Sequence, residues 1–92
     1  MIATADIQFV PIGSGVSVRK EISRVIEMIN ARDFIVQSHA MGTNIEGELH
    51  EILAVVAQIH EALHREGTVR VLSNLKLETR TDKIPTLAGK KL

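Results

Sequence analysis

The strongest constraint in this chain is a change of apolar period that occurs twice. Ala3, Ala5, Ile7 and Phe9 alternate with Thr4, Asp6 and Gln8, the two-residue repeat of a half-buried strand. Pro11 and Gly13-Ser14-Gly15 end that segment. From Ser17 the spacing becomes helical. Val18, Ile22, Val25, Ile26 and Ile29 share one side, and Arg19, Lys20, Arg24 and Glu27 take the other. Ser17 is the expected N-cap, because its hydroxyl can accept from a free amide of the first turn. The helix is expected to stop near Arg32.

The second cycle repeats the logic. Phe34 to Ala40 reads as a strand, and Met41-Gly42-Thr43 as a tight turn. Thr43 to Glu46 returns as a short third strand. Leu49, Ile52, Leu53, Val56, Ile59 and Leu63 then mark a helix from about Glu48 to Arg65, with Gly67 placed for a left-handed C-cap. Val69, Val71, Ser73, Leu75 and Leu77 alternate with Arg70, Leu72, Asn74, Lys76 and Glu78 as a long last strand. The order β-α-β-β-α-β puts both helices on one face of an antiparallel four-stranded sheet when each crossover is right-handed. The expected fold class is therefore α+β, a ferredoxin-like sandwich. Its other face carries Thr4, Asp6 and Gln8, with Gln37 and His39. A polar face of this kind can be solvated, or it can be a site or a subunit interface.

With 92 residues, the chain has room for one domain over 1–92, ending in a basic tail from Arg80 that is a candidate oligomer contact. Eleven Lys and Arg balance eleven Asp and Glu, which argues against a general nucleic-acid partner. Two Phe and no Trp or Tyr cannot supply base-stacking platforms. The absence of Cys removes disulfides, thiolate nucleophiles and Cys-ligated zinc. No apolar run approaches the length of a membrane span, and the first residues lack a signal peptide's charged start. The expectation is a small cytoplasmic domain that gains from self-association.

His60-Glu61-Ala62-Leu63-His64 matches H-E-x-x-H on a helix, the pattern in which two His hold zinc and the Glu activates water. No third ligand stands on a following element, and Leu63 belongs to the core stripe, so coincidence outweighs a metal site. His39, His50 and Glu46 form a second, weaker metal candidate. Gly13-Ser14-Gly15 before a helix lacks the spacing of a phosphate loop. The expectation is no metal and no catalytic residue.

Met41-Gly42-Thr43-Asn44-Ile45-Glu46-Gly47 is more informative. A glycine turn is expected to bring Thr43 and Glu46 out beside the second helix's N-terminus. A hydroxyl and a carboxylate flanked by Met41 and Ile45 suit an amino-bearing heterocycle. Thr43-x-x-Glu46 equally fits a capping box. The residues alone leave both readings open.

Met41-Gly42-Thr43, Ile45-Glu46-Gly47, His60-Glu61, Arg70-Val71 and Arg80-x-Asp82-Lys83, together with Pro11-Ile12-Gly13 and Ser17-Val18, resemble the small thiamine-binding-protein family across nearly the whole chain. The resemblance implies a ferredoxin-like fold. It implies homo-oligomers, dimers assembling into tetramers. It implies thiamine or its hydroxymethylpyrimidine part as a ligand, with no cofactor otherwise. The pocket residues it implies are Ser17, Met41, Thr43, Asn44 and Glu46, with Glu46 accepting from the aminopyrimidine. Arg70, Arg80, Asp82 and Lys83 would serve subunit contacts. The expected partners are a small molecule and further copies of the chain, with no nucleic acid and no membrane. A ligand-free regulatory or scaffold domain and a small zinc hydrolase using His60, Glu61 and His64 are the competing expectations.

Overall fold

The computed structural model describes residues 1–91. Its elements are β1 (Ile2–Ile12), α1 (Arg19–Asn30), β2 (Ile35–His39), β3 (Gly42–Glu48), α2 (Leu49–Arg65) and β4 (Arg70–Glu78), followed by a short 3-10 helix (Ala88–Lys90). The four strands lie in the order β2-β3-β1-β4, and every neighbouring pair is antiparallel. This is the ferredoxin-like α+β sandwich expected from the order of periods.

Alternation on the strands sorts the two faces. Ala3, Ala5, Ile7 and Phe9 of β1 and Ile45 of β3 are buried beneath Val25 and Ile29 of α1 and Ile52, Val55, Ile59 and Leu63 of α2. Burying a side chain of this size is worth about 1.5–3 kcal/mol, so this layer is the main stabilising term. The opposite face carries the partners Asp6–Asn44 and Thr4–Glu46 from β1 and β3, and Asp6–Lys76 and Thr4–Glu78 from β1 and β4.

Several boundaries differ from the sequence expectation. β1 runs through Pro11 to Ile12, although proline offers no amide to a ladder. Beyond Ile7 it pairs only with β4, so Pro11 lies where the strand has become an edge. β3 is longer than expected and reaches Glu48. Ser17 is not the N-cap of α1: that position belongs to Val18, which makes no side-chain cap bond. Thr43 and Glu46 form no capping box. Glu48 caps α2 instead, its carboxylate accepting from the Glu51 amide at 3.0 Å. Along α2, Val55 enters the core while Leu53 is exposed.

The two motif glycines make room for neighbours. A Cβ on Gly47 would stand 2.4 Å from Phe34 Cδ1, so the Phe34 ring packs directly on the β3 backbone. A Cβ on Gly42 would stand 2.9 Å from the Ile7 carbonyl oxygen and 3.1 Å from Asp6 Oδ1.

Candidate functional site

Thr43 and Glu46 are three residues apart on a continuous strand, and that spacing sends them to opposite faces. Thr43 pairs with Ile7 and turns into the helix-covered face, where it is buried. Asn44 and Glu46 pair with Asp6 and Thr4 on the other face. The predicted site residues therefore do not converge. Met41 and Thr43 come together, Asn44 and Glu46 lie behind the sheet, and Ser17 is exposed before α1.

What Met41 and Thr43 share is a cavity of about 270 Å³ between α1 and the β2–β3 end of the sheet. Ile22, Val25, Ile26 and Ile29 of α1 form its apolar wall, and Ile7 and Phe9 its floor. Ser38 and Thr43 supply hydroxyls, while Gln8 and His39 also line the cavity with side chains bonded to Asn74 and Asp6 on the open face. Ile22 and Ile26 were expected in the core stripe, but neither is fully buried, because the helix here roofs a cavity. Sequence reasoning missed Ser38 and Gln8 as lining residues. The signal available was register: Ser38 stands opposite Thr43, so the two hydroxyls share a face.

His39 joins the cavity to the open face. It lines the cavity and also a shallow groove with Asp6, Gln8, Asn74 and Lys76. Its Nε2 lies 2.9 Å from Asp6 Oδ1, and its Nδ1 accepts from the Met41 amide at 3.3 Å.

The Glu46 side is already occupied by the chain itself. The Leu87 amide donates to Glu46 Oε1 at 2.8 Å, and the Leu87 and Pro85 side chains are buried. Lys90 pairs with Glu78 and holds its carboxyl below the usual range, chiefly through their hydrogen bond. Arg80 forks onto Asp82 and lowers that carboxyl in the same way. The segment after β4 thus lies along the open face. Arg80 and Asp82 pair with each other, while Arg70 and Lys83 are exposed.

The histidine motifs have other partners. His60 Nε2 sits 2.7 Å from Ser73 Oγ, and its ring meets Phe9 edge-on at 5.7 Å. His64 donates from Nδ1 to the Thr68 carbonyl at 2.9 Å, which closes the turn after α2. His50 goes to Glu48 at 3.0 Å rather than to Glu46 or His39. Among the described residues no group of three or more His, Cys, Asp or Glu is gathered to hold a metal ion. None of the helices described is long and apolar enough to cross a membrane.

Comparison with known proteins agrees with this architecture. The UPF0045 protein MJ1052 of Methanocaldococcus jannaschii is 37% identical over 86 residues, covering 94% of this chain and 85% of that one. A UPF0045 protein of Synechocystis, sll0230, is 37% identical over 90 residues, covering 98% and 74%. The crystal structure of MJ1052 superposes with a TM-score of 0.89 at 36% identity, over 97% of this chain and 91% of that one. A Thermotoga maritima protein, TM0486, proposed to act in thiamine biosynthesis or salvage, shares the fold with a TM-score of 0.87 at 23% identity, over 98% and 95% of the two chains. The model of the thiamine-binding protein family matches residues 5–91, and the chain belongs to that family.

Proposed function

We propose that the protein binds thiamine through its hydroxymethylpyrimidine part, without transforming it, in the cavity between α1 and the β2–β3 end of the sheet. The cavity carries this reading, and the family supports the ligand class. Its volume of about 270 Å³ lies just below the usual range of small-molecule pockets, roughly 300–1,000 Å³, so it suits one ring and leaves the thiazolium outside. The Ile22, Ile26 and Met41 side chains, with the single Phe9 ring in the floor, stand in place of an aromatic sandwich. Thr43 and Ser38 hydroxyls can both donate and accept, which matches an aminopyrimidine edge.

The same reading includes self-association as a dimer or dimer of dimers. Ile35 on the edge strand β2 and Leu72 on the edge strand β4 are 57% and 51% exposed, and both fall in register with the open face. A domain this small gains stability from covering such groups.

Calorimetry with thiamine tests the ligand. Ile26 is 38% exposed on the cavity wall, so Ile26→Trp fills the space at little cost to the core. The wild type is expected to give a saturable heat at millimolar ligand, and Ile26→Trp to lose it. A silent wild type, or unchanged affinity in Ile26→Trp, overturns the reading.

A further inference from the structure

We propose that Asp6 and His39 are a positioning pair that sets Met41 at the mouth of the cavity, and that this setting requires a neutral His39 ring. The consequence for ligand rests on the reading above, whereas the geometry does not. The Met41 amide can only donate, so the His39 Nδ1 facing it carries no proton. The proton of the neutral ring is then on Nε2, where it points to Asp6 Oδ1 at 2.9 Å. An ionised carboxylate only accepts, so Asp6 holds the ring in that one tautomer. One β1 side chain on the open face thereby fixes a backbone amide at the cavity mouth on the other face.

Gly42 shows that the pair is built into the backbone. A Cβ there would stand 2.9 Å from the Ile7 carbonyl oxygen, 3.1 Å from Asp6 Oδ1 and 3.2 Å from His39 Cε1, so a side chain at this position would crowd the pair as well as the β1 backbone. Met41 is 73% exposed, so packing does little to hold its side chain, and the amide contact adds to the His39–Gly42 pairing that closes the turn around it.

Acid reverses the arrangement. A second proton can enter the ring only at Nδ1, which turns the acceptor of the Met41 amide into a donor facing a donor. The charged groups around the ring are few. Asp6 faces it from β1, and Lys76 of β4 shares the groove beyond Asp6. The α1 residues lining the cavity with it are Ile22, Val25, Ile26 and Ile29, none of which titrates. Gly42 and Asn44 of β3 and the rest of β2 add no charge. Protonation leaves Met41 unpinned, and affinity falls with the loss of about one hydrogen bond, roughly five- to tenfold.

Nitrogen NMR of the His39 ring and the Met41 amide tests the pair without ligand. At pH 8 the wild-type ring is expected to carry its proton on Nε2. Asp6→Asn, whose amide can donate or accept, should show both tautomers. As the buffer is acidified from pH 8, the Met41 amide should follow the ring in the wild type and stay still in His39→Gln. A proton on Nδ1 at pH 8, or a Met41 amide indifferent to the ring, overturns the proposal. In a thiamine titration at pH 8 and pH 5.5, the wild type should lose affinity about five- to tenfold more than His39→Gln, which carries the ligand's own titration. Equal losses in the two proteins contradict the proposal. Thiamine that binds neither protein at either pH counts against the ligand reading, and the NMR result then decides the positioning pair.

Discussion

The Leu87 amide donates to Glu46 Oε1 across 2.8 Å, which ties the segment after β4 to an interior strand of the sheet. That single contact changes the meaning of the most chemically suggestive carboxylate in the chain. Glu46 is a fastening for the chain itself, and a ligand reaching it from the open face would have to displace Leu87.

Removing the acceptor should free the segment. Glu46→Ala leaves the partly buried Leu87 amide without a partner, a change expected to cost about 1–3 kcal/mol. Hydrogen exchange at Leu87 should speed up, while amides of α2 and β3 fall only by the global loss. Glu46→Gln keeps an acceptor oxygen and should retain most of the protection. Unchanged exchange at Leu87 in Glu46→Ala would show that burial of Leu87 and Pro85 alone holds the segment.

Gly47 should reject any side chain. An added Cβ lies 2.4 Å from Phe34 Cδ1, and the half-buried ring packs against the core. Gly47→Ala is expected to cost about 1–3 kcal/mol as overpacking. Combining it with Phe34→Leu should recover part of that loss, because the clash is specific to the ring. Urea unfolding of the two single variants and the double variant measures the coupling. Strict additivity would place the strain elsewhere.

Acid should loosen the helix cap and the open-face segment together. The His50 hydrogen bond, helped by the Glu51 and His50 amides, lowers the Glu48 carboxyl to about 2. Lys90 and Arg80 lower Glu78 and Asp82. These groups bind protons more weakly folded than unfolded. Their stabilisation is therefore present above the ordinary carboxylate range and is lost as pH falls through the folded values. The stability difference between wild type and Glu48→Ala should be full at pH 7 and shrink between pH 4 and pH 2. A difference that stays constant over that range would mean that the cap does not depend on charge.

The two periods of the sequence suffice to specify the fold. Strict alternation in Ala3 to Phe9 and the helical stripe ending at Leu63 leave one compact solution for six elements. The site was less readable, for a physical reason. Thr43 and Glu46 share one short motif, but a strand separates residues three apart onto opposite faces, and a motif read as a string does not show that. Ser17 looked like a cap because hydroxyls cap helices, yet the first turn of α1 starts from Val18 without one. Ile22 and Ile26 looked like core because helical spacing cannot distinguish a wall against side chains from a wall against a cavity. The return of Leu87 to Glu46 spans 41 positions and leaves no local sequence mark.

The sidedness of β3 gives the most direct test of the central claim. Thiamine affinity should be measured by calorimetry for wild type, Thr43→Val and Glu46→Ala under one buffer. Thr43→Val keeps the shape and removes the hydroxyl facing the cavity, and should weaken binding by about fivefold, the worth of one hydrogen bond. Glu46→Ala alters only the far face and should bind within about twofold of the wild type. The reverse order, with Glu46→Ala abolishing the heat and Thr43→Val matching the wild type, would contradict the account and move the site to the open face beneath Leu87.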